Sequence, residues 1–336
     1  MTDRVTAFLQ AADWHQAARQ ALAGDASSRR YERLRKPDDQ TAVLMIAPPL
    51  PDDSTVRFAA LAGQLVDHGL SAPRILTGQP DDGLLLLEDL GETMFAQDIL
   101  ADPARETPLY EAAVDLLAAL QACPVPDNVP RFGPSTLAEM TAPAADWYAG
   151  LGTPQPDLAA GFAAALDPVL AALEGWDTPV LTHRDFHAEN LVWLPGRTGP
   201  ARVGLLDFQD AFAGPLAYDL VSLLEDARRD LAPALRTRLE ARFAAATGTP
   251  PEALATALAV LGAQRNLRIL GVFARLCLHM GKARYVDLIP RVWDHLQGDL
   301  AHPALKDVRA ATAALPTPTP EFLTQLRARC GTVPTP

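Results

Sequence analysis

The feature that most constrains the fold of this 336-residue chain is a polar cluster that surrounds two short apolar segments. His-Arg-Asp at residues 183–185 precedes the first segment, 191–194, and Asn190 stands at its start. The second segment, 202–206, runs directly into Asp207. Two prolines and two glycines lie between the segments, and these residues favour a turn. The pattern predicts a β-hairpin that holds the polar residues together.

Residues 1–87 predict a small lobe of mixed α and β structure. Helical periodicity covers residues 4–22, with Gly24 expected to end the helix. A second helix is expected at 54–68. Short apolar runs predict strands at 30–34, 41–46, 74–76 and 84–87.

The chain after the polar tetrapeptide 88–91 is rich in Ala and Leu, which predicts a larger helical lobe over residues 92–336. The tetrapeptide itself is expected to be a hinge between the two lobes. Helices are expected near 105–122, 136–150, 157–174, 216–227, 231–246, 251–280, 283–296 and 320–329. The hairpin is embedded in this lobe, and the fold class is α+β.

Asp185, Asn190 and Asp207 are the residue types that phosphoryl transfer requires. One carboxylate must orient the attacking hydroxyl and accept its proton. An amide oxygen and a second carboxylate suit Mg²⁺, which prefers hard oxygen ligands. We therefore predict that Asp185 is the catalytic base and that Asn190 and Asp207 bind Mg²⁺.

Charge and cysteine content exclude several other classes of protein. Acidic residues outnumber basic ones by 41 to 29, so the net charge of −12 gives no overall attraction to nucleic acid or anionic membranes. The three cysteines are far apart in sequence, which excludes a disulfide framework and a Cys-rich zinc site. There is no signal-peptide pattern and no long apolar run. We expect a cytoplasmic monomer that binds small molecules and neither nucleic acid nor membranes.

The stretches HRDFHAENLVW and GLLDFQDAFAGPLAYDLVSLL resemble the aminoglycoside phosphotransferase and choline-kinase-like family. The spacing from Asp185 to Asn190 is that of the kinase catalytic loop, and Asp207 starts the sequence Asp-Phe-Gln where kinases have Asp-Phe-Gly. The resemblance implies a protein-kinase-like fold of two lobes, with ATP as co-substrate and Mg²⁺ as cofactor. It also implies that His183 and Asp219 support the catalytic loop.

Four further stretches look like the anomeric kinases of cell-wall recycling: GDASSRRYERLR, VLMIAPP, LSAPRILTGQPDDGLLLLEDLG and QRNLRILGVFARL. This finer resemblance implies transfer of the γ-phosphoryl group of ATP to the C1 hydroxyl of N-acetylmuramate or N-acetylglucosamine.

The resemblance also implies where the nucleotide binds. Kinases carry a lysine on the third strand, but this chain has Met45 there, and the helix at 54–68 has no glutamate to pair with a lysine. Arginines must then neutralise the phosphates. Arg29 and Arg30 are the main candidates, and Arg57 is a weaker one. The residues expected to contact the nucleotide are Ser27, Ser28, Arg29, Arg30, Met45, Glu88 and Leu90.

The sugar acceptor is expected beside Asp185. Three arginines share one face of the helix at 251–280, and a guanidinium fork suits the lactyl carboxylate of a muramate. They could instead pair with acidic side chains of neighbouring helices. An aromatic ring beside a carboxylate can stack on a sugar, although Trp147 could equally pack in the core. The candidates are Asp185, Gln209, Asp210, Asp146, Trp147, Arg265, Arg268 and Arg275.

Two alternative functions remain open on the sequence. The chain could phosphorylate another small alcohol, such as an aminoglycoside, choline or homoserine. The missing lysine also suggests a pseudokinase that binds nucleotide without catalysis, but the joint presence of Asp185, Asn190 and Asp207 argues against this. The sequence does not distinguish ATP from GTP.

Overall fold

The computed structural model describes residues 2–22, 29–48 and 54–334, and the chain forms two compact units. The first unit comprises Met1–Asn128 and Ala188–Ala211, and the second comprises Val129–His187 and Phe212–Pro336. The first unit therefore contains more than the predicted small lobe, since it includes residues 92–128 and the polar hairpin.

The strands and helices follow one another in a mixed order along the chain. The strands are β1 (Ala18–Leu22), β2 (Arg30–Arg35), β3 (Thr41–Ile46), β4 (Ile75–Gln79), β5 (Leu84–Glu88), β6 (Val180–Thr182), β7 (Leu191–Trp193), β8 (Val203–Leu205) and β9 (Phe212–Gly214). The α-helices are α1 (Thr2–Ala11), α2 (Ser54–Asp67), α3 (Phe95–Ala101), α4 (Glu106–Gln121), α5 (Pro134–Glu139), α6 (Pro156–Ala171), α7 (Tyr218–Leu224), α8 (Pro233–Thr247), α9 (Pro251–Leu278), α10 (Ile289–Leu300), α11 (Lys306–Thr312) and α12 (Pro320–Ala328).

The first unit is built on an antiparallel five-stranded sheet with the order β1-β2-β3-β5-β4. Successive side chains of a strand point to opposite faces. Even-numbered residues of the central strands pack with α1 in one apolar cluster, which contains Val5, Phe8, Leu9, Trp14, Leu34, Ala42, Leu44, Ile46, Leu84 and Leu86. The odd-numbered residues, including Tyr31 and its register partner Met45, therefore lie on the opposite face.

The predicted hairpin is confirmed. Strands β7 and β8 pair antiparallel, with Leu191 opposite Leu205. Bridges join the hairpin to two other parts of the first unit, from Gly204 to Ser71 and from Val192 to Met94. The sheet strands and the hairpin that carries Asn190 therefore belong to one packed unit.

The second unit is helical around α9, against which α7 and α10 pack. The backbone of α9 approaches residues 143–144 so closely that a Cβ atom on Gly271 would lie 2.1 Å from the carbonyl carbon of Pro143. Strands β6 and β9 pair antiparallel and flank the catalytic loop in sequence. Among the described residues no helix is both long and apolar enough to cross a membrane.

Three helix predictions are wrong in part, and one of them, the helix expected at 283–296, begins as a 3₁₀ segment, Ala283–Leu288, ahead of α10. The helix expected at 4–22 ends at Ala11, and residues 18–22 form β1 instead, because the apolar periodicity lies in the first half and β2 offers a pairing edge to the second. Gly24 lies outside the described residues. The helix expected at 136–150 is split into α5 and a π-helical segment, Ala144–Ala149, with Pro143 immediately before the second piece. Helices α3 and α11 were not predicted.

Candidate active site

The loop that carries Asp185 follows β6 in the second unit, and a buried carboxylate fixes its backbone. The amide of His183 donates to Oδ2 of Asp219 at 2.6 Å, and the amide of Arg184 donates to Oδ1 at 2.8 Å. Burial raises the pKa of Asp219 to about 7, although the two amides favour its ionised form. Arg184 has a φ of +83°, so its left-handed backbone is held in place by this contact.

Helices α7 and α9 give the loop further support. Oγ of Ser222 on α7 donates to the carbonyl oxygen of Arg184 at 3.4 Å. Nη2 of Arg265 on α9 donates to the same hydroxyl at 2.9 Å. The ring of His183 packs edge-to-face on Phe186, with 5.7 Å between centroids. The loop is therefore held from both helices before any substrate binds.

Asp185 lies in a positively charged environment. Burial raises the pKa of this carboxyl, but nearby positive charges, led by that of Arg268 and including that of Arg265, outweigh burial and hold the pKa below its ordinary 3.8. Asp185 is therefore ionised at neutral pH. An ionised carboxylate can orient a hydroxyl group and accept its proton.

The hairpin of the first unit positions the two residues that were predicted to bind metal. The amide of Leu206 donates to the carbonyl oxygen of Asn190 at 2.9 Å. Asp207 follows β8 with a φ of +60°, and its side chain is exposed. Nε2 of Gln209 donates to Oδ1 of Asp207 at 2.6 Å. The hairpin thus fixes the main chain beside both candidate ligands.

These residues fit a magnesium ion. The donors are a carboxylate and an amide oxygen, which are hard ligands. Oε1 of Gln209 is buried without a hydrogen-bond partner within the part of the chain that the structure describes, so a further amide oxygen stands beside Asp207. The described residues contain no cluster of three or more His, Cys, Asp or Glu side chains that could enclose a metal. Mg²⁺ does not require one, because it usually keeps waters and substrate phosphates as ligands.

The sheet face that carries Met45 brings Arg29 to the same region of the first unit. The side chain of Arg29 is buried and lies over the ring of Phe58 at 5.9 Å. Burial raises the pKa of Tyr31, while hydrogen bonding and charge from Arg29 lower it and the charge of Asp207 raises it. The ring of Phe58 also stacks on Phe208, the residue after Asp207, at 4.8 Å. Arg29 and Asp207 therefore act on the same tyrosine.

The other predicted phosphate-binding residues fall elsewhere. Arg30 is on the opposite side of β2, where it is exposed and lies 3.6 Å from Glu32. Arg57 is exposed on α2. Ser27 and Ser28 lie outside the described residues. The structure thus separates the two neighbouring arginines, and Arg29 is the one on the face with Met45.

The predicted acceptor residues other than Asp185 and Gln209 divide into three groups. Arg265 and Arg268 act electrostatically on Asp185, and they lie one turn apart on α9. Arg275 and Asp210 are exposed. Oδ1 of Asp146 accepts a hydrogen bond from the amide of Gln155 at 2.7 Å, and the buried ring of Trp147 packs 6.1 Å from that of His279. Asp146 and Trp147 thus have structural contacts of their own.

A sequence profile of the phosphotransferase enzyme family matches residues 18–261. The chain belongs to this family. The N-acetylmuramate/N-acetylglucosamine kinase of Caulobacter vibrioides is 41% identical to it, over 90% of this chain and 93% of the relative. The kinase of the same name from Pseudomonas aeruginosa is 34% identical, over 88% of this chain and 87% of the relative. The family resemblance predicted from the motifs is confirmed.

A solved structure shows the fold of this phosphotransferase. Choline kinase LicA from Streptococcus pneumoniae matches with a TM-score of 0.62 at 11% identity, over 89% of this chain and 99% of LicA. The predicted α+β, protein-kinase-like fold is confirmed.

A buried arginine that the sequence did not indicate contacts the predicted hinge of the phosphotransferase. Arg33 is buried, its Nε lies 2.8 Å from Asp89, and its Nη2 donates to the carbonyl oxygen of Gly91 at 3.1 Å. The amide of Glu88 donates to the carbonyl oxygen of Arg74 at 2.8 Å, so this amide is not available to a nucleotide base. Leu90 is buried against the hairpin. The predicted hinge 88–91 is therefore held on both sides within the first unit.

Proposed function

We propose that this protein is an ATP-dependent kinase that phosphorylates the C1 hydroxyl of N-acetylmuramate, N-acetylglucosamine or both, in the recycling of cell-wall sugars. One observation carries the proposal. Relatives that are 41% and 34% identical over most of their length are N-acetylmuramate/N-acetylglucosamine kinases. The ionised Asp185 and the fit of the hairpin to Mg²⁺ support a phosphoryl-transfer reaction.

In this proposal Asp185 orients the C1 hydroxyl and accepts its proton. The transition state of phosphoryl transfer is loose, so the hydroxyl gains acidity late, and a weakly basic carboxylate is sufficient. The rigid support from Asp219 then matters as much as the basicity of Asp185, because misplacing a reacting group is costly. His183 has a structural role in fixing the loop.

Asn190 and Asp207 would hold Mg²⁺ in the proposed site. Bound Mg²⁺ would neutralise charge on the nucleotide phosphates. Gln209 keeps Oδ1 of Asp207 in a fixed orientation through its 2.6 Å hydrogen bond. On the hinge, the carbonyl of Glu88 and the amide of Leu90 are the proposed partners of the nucleotide base.

Arg29 is the proposed replacement for the missing strand lysine. We expect Arg29→Ala to raise KM for ATP about 10-fold or more, since a charge-assisted hydrogen bond contributes about 1.5–3 kcal/mol. Arg30→Ala is the matched control, because Arg30 is the next residue but is exposed on the opposite side of the strand. Initial rates at varied ATP and saturating sugar give both KM values. Equal KM values for the two variants would contradict the assignment of Arg29.

A substrate panel tests the function itself. Purified protein is given ATP and Mg²⁺ with N-acetylmuramate, N-acetylglucosamine, glucose, kanamycin, choline or homoserine, and ADP release is measured with and without EDTA. We expect turnover of one or both amino sugars, abolished by EDTA. The product should release phosphate in mild acid, because anomeric phosphates hydrolyse readily. Turnover of kanamycin, choline or homoserine alone would reject the proposal, and GTP in place of ATP tests the nucleotide.

A further inference from the structure

Arg265 and Arg268 lie one turn apart on α9, and Arg265 reaches the loop of Asp185 through Ser222, whose hydroxyl donates to the carbonyl oxygen of Arg184. The charge of Arg268 opposes the effect of burial on Asp185 more than any other nearby charge, and Arg265 also contributes. Positive charges at this position make Asp185 a weaker base. An anionic acceptor brought beside Asp185 would need cations to offset its repulsion from that carboxylate.

The two arginines have different surroundings. Arg265 is buried, and its Nη2 donates to Ser222 at 2.9 Å. Its other terminal nitrogen, Nη1, is buried without a hydrogen-bond partner in the described part of the chain. Arg268 is only partly buried, and no hydrogen bond or close ion pair joins its guanidinium to any described residue. Arg265 is thus partly engaged with the catalytic loop, and Arg268 is the cation that a ligand can reach.

N-acetylmuramate and N-acetylglucosamine differ in one group that such a cation would recognise. N-acetylmuramate carries a lactyl ether on O3, which ends in a carboxylate, and N-acetylglucosamine has a hydroxyl there. Ring carbon C3 is two bonds from C1. A sugar whose C1 hydroxyl lies at Asp185 therefore brings the lactyl carboxylate within a few atoms of the base, which is the region where Arg268 acts.

We propose that Arg268, assisted by Nη1 of Arg265, binds the carboxylate of an acidic amino sugar and makes this enzyme prefer N-acetylmuramate over N-acetylglucosamine. The inference rests on the proposed function and deepens it. Arg275 is excluded from this role because it is exposed two turns further along α9 and does not act on Asp185. A guanidinium fork is well suited to carboxylate recognition.

Wild-type enzyme alone gives the first test. Its kcat/KM is measured at pH 8 with N-acetylmuramate, with the methyl ester of N-acetylmuramate and with N-acetylglucosamine. The ester keeps the lactyl group, adds one methyl group and removes the negative charge. We expect the acid to be better than the ester by about 10- to 100-fold. Equal values for acid and ester would overturn the proposal without any substitution in the protein.

Arg268→Gln gives the second test. We expect kcat/KM for N-acetylmuramate to fall by about 10- to 100-fold more than kcat/KM for the ester and for N-acetylglucosamine, which should change together because they share the effect of Arg268 on Asp185. Arg268→Lys should recover part of the loss, and Arg275→Gln is the matched control on the same helix. Equal losses on acid, ester and neutral sugar would overturn the proposal, because Arg268 would then act only through Asp185.

Wild-type activity on the two amino sugars separates the proposed function from the proposed role of Arg268. If wild-type enzyme phosphorylates neither amino sugar, the proposed function is wrong. If it phosphorylates both but does not distinguish acid from ester, the function stands and the role of Arg268 is wrong.

Discussion

Asp185→Asn is expected to lower kcat by about 10²- to 10⁴-fold, which is the range for loss of a general base. Asn has nearly the shape of Asp but cannot accept the proton of the sugar hydroxyl. KM for ATP should stay close to the wild-type value, because Asp185 is not among the residues proposed to bind the nucleotide or the metal. Single-turnover rates at saturating ATP and sugar measure the chemical step directly.

The control for this substitution is Asp177→Asn, which makes the same chemical change at an exposed residue just before β6. Nearby positive charges outweigh burial and hold the pKa of Asp185 below 3.8, so Asp185 should cause no change in kcat between about pH 6 and pH 8. Near wild-type turnover by Asp185→Asn would reject Asp185 as the base. If kcat of the wild type falls as the pH drops to about 6 and kcat of the variant does not, the nearby positive charges do not hold the pKa of Asp185 low.

The hairpin and its polar residues were predictable because their signals are local. Turn residues separate two apolar runs, and polar residues stand at the ends of both strands. The choice between Arg29 and Arg30 was also available from the sequence. Leu34 must face the core, and side chains alternate between the two faces of a strand. Arg30 is four residues before Leu34 and therefore lies on the same face, whereas Arg29 lies on the other.

Other features depend on contacts between residues far apart in sequence, which a local sequence pattern cannot predict. Strand β1 exists because β2 offers an edge for pairing, and its own sequence is as compatible with a helix. Arg33 meets Asp89, 56 residues away, only because the register of β2 places it there. The sequence placed Arg265 and Arg268 on one face but could not distinguish them, since burial and the bond to Ser222 arise from the packing of α7 on α9.

Asp219→Asn is expected to lower the free energy of unfolding by about 1–3 kcal/mol near pH 7 and to reduce kcat by up to about 10²-fold. The amides of His183 and Arg184 each donate to one oxygen of Asp219. Asn keeps one acceptor oxygen and turns an NH₂ group toward the other amide, which leaves a buried donor without a partner. The catalytic loop then moves, although Asp185 itself is intact.

Asp230→Asn is the matched control, since Asp230 is exposed and receives hydrogen bonds from Nε and Nη2 of Arg291 at 2.7 and 3.0 Å. An exposed ion pair contributes about 1 kcal/mol or less, so this variant should be nearly as stable as wild type and fully active. Urea unfolding and kcat are measured on both variants. Equal stability losses for Asp219→Asn and Asp230→Asn would show that the buried carboxylate does not support the loop.

The pH dependence of the Asp219→Asn effect follows from the shifted titration of Asp219. Burial raises the pKa of this carboxyl from 3.8 to about 7, so between these values the folded protein keeps a proton that the unfolded chain releases. The resulting stabilisation of the folded protein is complete below pH 3.8 and is lost as the pH rises through about 7. Asn does not titrate. The difference in unfolding free energy between wild type and variant should therefore be larger at about pH 5 than at about pH 8. The opposite trend would mean that the amides of His183 and Arg184 outweigh burial and keep Asp219 ionised.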